Sequence, residues 1–351
     1  MRPDADQGAT VMKQTPSFGI VGATGAVGRT ILQVLEQHDL RPRTLRLFAS
    51  ERSKGQKMRF AGTEVEVEAL DGADFKGLDA VFFSAGTDIS RTWCPRAAEA
   101  GAVVIDNSNA FRMEADVPLV VPEVNPHALN SIPRNIIANP NCSTIQMVVA
   151  IAPIHRVNPL KRIVVSTYQS VSGTGLEAVE TLTVQSRAHL AGEPAPEGVY
   201  PHPIGFNLFP HIDIFLESGM CREEEKMVRE TQKILEAPIP VCATTVRVPV
   251  YYAHSESVNL ELSGAMTPDE ARSLLEKAPG VVVMDVPGRN IYPTPLLAQH
   301  RDEVFVGRIR RDSSVEHGLN LWVVADNLRR GAATNGVLIF EQLMAMGRFG
   351  S

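Results

Sequence analysis

Apolar residues along this chain fall into two rhythms. Short, nearly continuous apolar runs at 17–21, 44–49, 79–86 and 102–106 read as buried strands, and between them 29–36 and 93–101 carry apolar positions at helical spacing. Strands without a polar face, alternating with helices, predict a parallel, doubly wound α/β sheet whose ligands gather at strand C-terminal ends. The second half is patterned differently. An apolar helix is predicted to start near residue 142, a strand at 162–169, a helix at 176–190, a proline-rich loop at 193–210 and a helix from 223 to 235. Strands at 244–250, 253–257, 281–285, 304–310 and 319–326 then predict a mixed sheet. A final helix at 337–346 is expected to pack back on the first half. Thr267-Pro268-Asp269-Glu270 supplies a cap, a proline at the first helical position and the glutamate of a capping box.

At 351 residues the chain exceeds most single cores. Two domains are expected, residues 17–141 with 328–351 forming one and 142–327 the other. A hydrophobic content of 44% with 21% charge is that of an ordinary globular protein, and a net charge of -6 without a basic run argues against a nucleic-acid surface. Any cationic site must then be local. Cys94, Cys142, Cys221 and Cys242 show no CxxC spacing and are too sparse for a disulfide scaffold, which points to a reducing compartment, the cytoplasm. Residues 1–16 are polar, lack the apolar core of a signal peptide and read as a flexible extension. No later run is long and apolar enough to span a membrane.

Gly22-Ala23-Thr24-Gly25-Ala26-Val27-Gly28 lies between the first strand and the first helix. Glycine permits the sharp turn and close backbone approach that a pyrophosphate needs, and the helix start offers oriented amides. The spacing is GxxGxxG, so a purely structural glycine turn stays open. After the second strand come Glu51-Arg52-Ser53. An arginine there accommodates the 2′-phosphate of NADP, whereas an acid would take the ribose hydroxyls of NAD; Arg52 and Ser53 favour NADP, and Glu51 keeps NAD in play. Ser84, Gly86 and Asn107 to Arg112 fall at other strand ends.

Asn139-Pro140-Asn141-Cys142-Ser143-Thr144 places a thiol where a strand gives way to a helix. Proline keeps Asn139 out of the helix and Asn141 can cap it, which brings Cys142 into the first turn, where the helix dipole favours thiolate. A thiolate is a nucleophile; a buried structural cysteine is the alternative. Arg247 lies in an alternating strand and suits a carboxylate bidentately, and His254 is suited to moving protons near neutral pH. An ordinary ion pair and a structural histidine are the plainer readings. His202 and His211 in the proline-rich loop lack ligand spacing, so no metal is assigned.

Taken together, the glycine turn, Ser108-Asn109-Ala110-Phe111-Arg112, Pro140-Asn141-Cys142-Ser143-Thr144, Gln169-Ser170-Val171-Ser172-Gly173, Arg247-Val248-Pro249 and His254-Ser255-Glu256 resemble the aspartate-semialdehyde dehydrogenase family, in its order and spacing, from residue 17 to the end. The resemblance implies a Rossmann-like nucleotide domain and an α+β substrate and dimerisation domain. It implies NADPH-dependent reductive dephosphorylation of L-aspartyl-4-phosphate to L-aspartate 4-semialdehyde, feeding lysine/diaminopimelate, threonine, methionine and isoleucine synthesis. Cys142 would then be the thioester nucleophile and His254 the general acid/base, with Gln169 orienting the acyl group. Arg247 would grip the substrate carboxylate, Glu223 its amine, and Arg112 and Lys226 the phosphate, with Asn141 nearby. Thr24, Gly25, Ala26 and Val27, Arg52 and Ser53, Ser172 and Gly173, and Asn327 would contact NADP. A homodimer is implied, in some members paired into a tetramer. The rival readings are N-acetyl-γ-glutamyl-phosphate reductase, whose blocked amine does not call for Glu223, and an inactive nucleotide-binding homologue, which would not need both Cys142 and His254.

Overall fold

The computed structural model describes residues 16–349. Residues 1–15 of the expected extension lie outside the described residues, and Pro16 is already buried. The first half opens with β1 (Phe18–Val21), α1 (Ala26–Gln37), β2 (Leu45–Ala49), β3 (Lys57–Phe60), β4 (Thr63–Ala69), β5 (Ala80–Phe83), α2 (Thr87–Glu99), β6 (Val103–Asp106) and β7 (Ile136–Ala138). These strands form one sheet in the order β3-β4-β2-β1-β5-β6-β7. Every pairing is parallel except β3 with β4. β1, β5 and β6 are buried along their whole length, as strands covered on both faces must be. The order reverses between β1 and β5, opening the crevice a doubly wound sheet offers a ligand.

The parallel sheet has an addition the apolar runs did not announce. β3 and β4 form an antiparallel hairpin closed by Ala61 and Gly62, both at positive φ. Their alternation of exposed and buried residues is that of an edge ribbon. Helix α2 begins six residues before the position expected from Trp93. Of its residues before Trp93 only Ser90 is buried, so the early turns read as a polar loop, and Pro95 sits inside the helix.

The second half continues with α3 (Cys142–Val157), β8 (Leu160–Gln169), α4 (Leu176–Ala191), α5 (Arg222–Leu235), β9 (Val241–Arg247), β10 (His254–Leu262), α6 (Pro268–Leu275), β11 (Val281–Val283), α7 (Pro295–Ala298), β12 (Val304–Asp312), β13 (Gly318–Ala325) and α8 (Asn335–Ala345). The strands form a mixed sheet, β11-β12-β13-β10-β8-β9, parallel at β8–β9 and β11–β12 and antiparallel elsewhere. On β8, Ile163, Val165, Thr167 and Gln169 are buried while Tyr168 is exposed. On β10, His254, Glu256, Val258 and Leu260 share the buried face. The sheet thus packs one face under α3, α5 and α6, while the other is covered by α7 over β12 and β13 and exposed at Tyr168. Asp269 and Glu270 open α6 behind the expected Thr267 capping box.

From β13 the chain returns through one π-helical turn, Arg329–Thr334, into α8. Phe340 of α8 packs against Phe18 and Phe82 of the first sheet, with ring centres 5.4 and 5.8 Å apart. Among the described residues no helix is long and apolar enough to cross a membrane, and no group of three or more His, Cys, Asp or Glu could hold a metal ion.

Candidate active site

Short connections bring the chemistry to one place. Only Asn158 and Pro159 separate α3 from β8, so the two run antiparallel and the start of α3 lies at the C-terminal end of β8. There Gln169 is the register partner of Arg247, the last residue of parallel β9, and antiparallel β10 begins with His254. The first sheet contributes the segments that follow β6 and β7. The result is a cavity of about 530 Å³ whose lining includes Asn107, Arg112, Asn141, Cys142, Gln169, Gly173, Glu223, Lys226, Arg247 and Asn327.

Asn141 caps α3 as its sequence position suggested, its Oδ1 accepting from Ser143 N and Thr144 N at 3.0 and 3.3 Å. Cys142 therefore occupies the first helical position. Its ionisation is not the one expected. Burial first, and the Glu223 carboxylate second, push the thiol up to about 12, against the pull of Arg112, Arg247 and the Ser143 amide. The helix start is outweighed, and the free protein carries a thiol. The backbone of Gly331 from the π turn closes over this residue: a Cβ there would lie 2.5 Å from that of Cys142.

Two opposite charges face this sulfur. Arg247 is 4% exposed; Nη1 donates to the Ser170 carbonyl at 2.5 Å, while Nε is buried without a partner. Arg247 lines the cavity, so this guanidinium with an unsatisfied donor is what the site offers an acid. Glu223 accepts from Asn141 Nδ2 (2.8 Å), Gln169 Nε2 (3.2 Å) and Lys226 Nζ (3.2 Å). Burial works to raise it, yet Lys226 and the amides prevail, and the carboxyl lies below its usual range. Its neighbour Glu224 is spent on the main-chain amides of Cys221 and Thr245. Glu225 pairs with Arg229. Of the acidic run, Glu223 alone lines the cavity.

Arg112 is held on three sides: Nε by the Asn139 carbonyl (2.9 Å), Nη2 by the Asn107 carbonyl (2.8 Å) and Nη1 by Glu230 (3.0 Å). One N–H on each terminal nitrogen remains for an anion. Lys226 reaches the same cavity between Glu223 and Asp213. Burial works against its charge, but the two carboxylates raise its pKa overall.

His254 is fully buried and does not line the cavity itself. Its Nε2 has no partner and lies against Gly173, which does: a Cβ on Gly173 would stand 3.4 Å from Nε2 and 3.4 Å from Arg247 Nη1. Gly173 lines the cavity, so the absence of a side chain there keeps Nε2 close behind its wall.

The nucleotide residues divide between two spaces. Gly22, Thr24, Gly25 and Ser84 line a second cleft of about 610 Å³ with Glu51, at the switch point of the sheet. Val27, Gly86, Gly173 and Asn327 line the first. Gly22 has φ +81°, and a Cβ on Gly28 would overlap the Gly22 carbonyl oxygen, so the turn requires glycine at both. No side chain caps α1, which leaves the amides of its first turn, at Ala26 and beyond, to a phosphate. Ser53 Oγ is 3.4 Å from Thr24 Oγ1, Arg52 is exposed beside it, and Ser172 Oγ bonds Asn327. The donors and the cradle fit a dinucleotide.

The sequence reading missed Glu230, Asp213 and Ser170. Glu230 sits at helical spacing from Glu223 and Lys226, the one signal that marked it; Asp213 and Ser170 reach the site through tertiary structure.

Residues 17–132 match the family described as semialdehyde dehydrogenase, NAD binding domain, and residues 151–330 match semialdehyde dehydrogenase, dimerisation domain. The aspartate-semialdehyde dehydrogenase of Aquifex aeolicus is 54% identical over 93% of this chain and 98% of its own length. That of Legionella pneumophila is 51% identical over 95% and 96%. The crystal structure of aspartate semialdehyde dehydrogenase II from Vibrio cholerae complexed with ASA superimposes with a TM-score of 0.93 at 46% identity, covering 95% of this chain and 99% of that one. The Candida albicans enzyme with NADP gives 0.73 at 25%, covering 95% and 100%.

Proposed function

The chain belongs to the aspartate-semialdehyde dehydrogenase family, and from that membership we propose how its residues carry the reaction. The enzyme is an NADP-dependent oxidoreductase that reduces L-aspartyl-4-phosphate to L-aspartate 4-semialdehyde, a step of lysine, threonine, methionine and isoleucine synthesis. The observation that carries the residue assignment is the pair of opposite charges around Cys142, a buried guanidinium with a free Nε at Arg247 and a buried carboxylate at Glu223. An α-amino acid carries the complement of both. A substrate with a blocked amine would bring no ammonium to Glu223 beside that of Lys226, which disfavours the N-acetylated rival.

With carboxylate and ammonium seated, the activated side-chain carbonyl lies over Cys142. The sulfur forms a bond to that carbon and gives up its proton, the carbon–oxygen bond to phosphate breaks, hydrogen phosphate leaves carrying that proton into the remaining donors of Arg112 and the ammonium of Lys226, and a thioester results. Gln169, tied to Ser143 Oγ at 2.8 Å and to Glu223, orients the acyl group. His254 serves the carbonyl oxygen from behind Gly173. The turn from Gly22 to Val27 with Ser53, Arg52 and Asn327 would hold NADPH, whose chemistry when bound is to give a hydride to the thioester carbon, and Cys142 would take back the electrons of the carbon–sulfur bond as the aldehyde is released. Residues 17–141 with 328–351 make up the nucleotide-binding part, and 142–327 the catalytic and dimerisation part. The outward face of the second sheet, with exposed Tyr168 beside Trp322, suits a homodimer in the cytoplasm.

The experiment is to follow NADPH absorbance with L-aspartate 4-semialdehyde, phosphate and NADP. Turnover that needs phosphate, prefers NADP to NAD and ignores N-acetyl-L-glutamate 5-semialdehyde is expected. Equal turnover of the N-acetylated aldehyde would overturn the assignment of Glu223, and preference for NAD that of Arg52.

A further inference from the structure

Among the described residues two acids line the cavity, Glu223 and Asp213, and the reaction so far uses only the first. Asp213 lies in the loop between α4 and α5, and main-chain bonds fix that loop on both sides of it. Phe209 exchanges bonds with Arg247 at the end of β9 (2.9 and 3.2 Å), and the Arg222 amide donates to the Ile214 carbonyl at 2.8 Å. At φ +70° Asp213 turns back on its own chain: Oδ1 accepts from the Ile214 amide at 2.9 Å, and Oδ2 accepts from Lys226 Nζ at 2.9 Å. A carboxylate oxygen accepts twice, so each keeps an open lone pair. Burial works to raise this acid, yet the hydrogen bond and charge of Lys226 hold it below the usual aspartate range. An ionised acceptor therefore stands beside the ammonium assigned to phosphate. Glu223 shares Lys226 with it, but it also accepts from Asn141 and Gln169 and is assigned the substrate ammonium.

A site built only to attract anions has no use for a carboxylate, which repels them. Hydrogen phosphate differs from sulfate, an ion of like shape and charge, by a single O–H. Arg112 and Lys226 only donate, so neither can tell that O–H from a bare oxygen. We propose that Asp213 accepts the O–H of hydrogen phosphate and so makes the anion site of Arg112 and Lys226 selective for a protonated oxyanion, binding hydrogen phosphate and turning sulfate away. The proposal rests on Arg112 and Lys226 holding the phosphate. An unpaired charge set against the wrong ligand discriminates as well as a contact made to the right one. In the oxidative direction hydrogen phosphate enters with its O–H on Asp213, a phosphate oxygen bonds to the thioester carbon, the carbon–sulfur bond breaks, and the proton passes to the sulfur of Cys142. In the reductive direction the phosphate leaves with the thiol proton and gives it to the same hydrogen bond. A phosphoryl group still joined to carbon through oxygen is largely a dianion at neutrality, so the contact forms as the group departs and favours that step over ground-state binding.

Steady-state oxidation of L-aspartate 4-semialdehyde with NADP by the full-length protein tests this, with inorganic phosphate as substrate and sodium sulfate as competitor. At roughly pH 8 both anions are chiefly divalent, which leaves the O–H as the difference between them. Sulfate should inhibit with a constant at least about tenfold above the KM for phosphate, the worth of one charge-assisted hydrogen bond. A smaller gap in the wild-type enzyme would overturn the proposal without any variant. Asp213→Asn keeps the shape and can donate to either anion. Its readout is the ratio of the two constants, because freeing Lys226 from Asp213 strengthens both anions together. That ratio should fall at least about fivefold; a smaller fall would show that Asp213 only braces the loop. Arg112→Gln tests the reading beneath, and there both anions should weaken alike. An unchanged KM for phosphate in that variant would take phosphate off Arg112 and overturn both readings, whereas a raised KM beside an unselective wild type overturns the selectivity alone.

Discussion

At the scale of single residues, the site keeps its polar groups loaded before substrate arrives. Cys142 shows the consequence most plainly. An acid whose pKa is raised stays protonated to higher pH, so the free enzyme holds a thiol at neutrality despite the helix start beneath it. Alkylation by iodoacetamide in the absence of substrate should therefore keep accelerating about tenfold per pH unit past pH 9, where an ordinary cysteine at about 8.5 levels off. A plateau near pH 7 would contradict the balance of burial and Glu223 against the helix. A substrate ammonium seated on Glu223 as proposed would weaken the second of these causes and so couple activation to binding. Arg247 is the other residue with a single-side-chain test. Lysine keeps the charge but not the flat fork, so Arg247→Lys should raise the KM for semialdehyde by roughly 10- to 100-fold with a smaller change in kcat. An unchanged KM in steady-state assays would remove it from the carboxylate site.

At the scale of elements, α5 organises more than its two cavity residues. Glu223, Lys226, Glu230 and Lys233 form one stripe on its inward side. Lys233 Nζ donates to the carbonyls of Arg112, Glu114 and Val117 at 2.7, 2.8 and 2.9 Å, and Glu230 joins Arg112 Nη1 (3.0 Å) to the Asn141 amide (2.6 Å). Both partners of Glu230 are donors. An amide in its place must turn its NH₂ toward one of them, freeing Arg112 or disturbing the cap of α3. Glu230→Gln should lower kcat/KM for phosphate about 100-fold and reduce Tm; wild-type dependence on phosphate would show that the link is idle. The sequence disclosed the start of this helix, and the family resemblance pointed to Glu223 and Lys226 by their spacing in an acidic run; the structure brings both to the cavity. Glu230 was visible only as another charged residue in a charged helix. The capping by Asn141 was legible because it is local. The protonation of Cys142 was not, because its first cause, burial, is set by tertiary packing and its second, Glu223, comes from 81 positions away. The β3–β4 hairpin was legible in principle, its alternation and Gly62 being present, but its strands are half-polar and lack the continuous apolar runs of their neighbours.

At the scale of the whole molecule, the chemistry lies where the C-terminal ends of two sheets meet. β6 and β7 deliver Arg112 and the Asn141-Cys142 step; β8 and β9 deliver Gln169 and Arg247. The junction is fastened by the π turn. Arg329 bonds Asp302 (2.7 Å) and Gln37, Arg330 bonds Glu123 in two places (2.9 and 2.8 Å), and Gly331 between these anchors and α8 rests on Cys142. Periodicity revealed both sheets and the returning helix, since each is a property of consecutive residues. It could not reveal which ends would meet, which depends on connections read only in three dimensions.

The proposed reaction turns on a covalent bond between Cys142 and the acyl carbon. Mixing the enzyme with semialdehyde and NADP in the absence of phosphate separates that step from release. A burst of NADPH equal to the active sites is predicted, with an aspartyl adduct on the Cys142 peptide in the mass spectrum that phosphate discharges. No burst, or an adduct that persists in Cys142→Ala, would contradict the account.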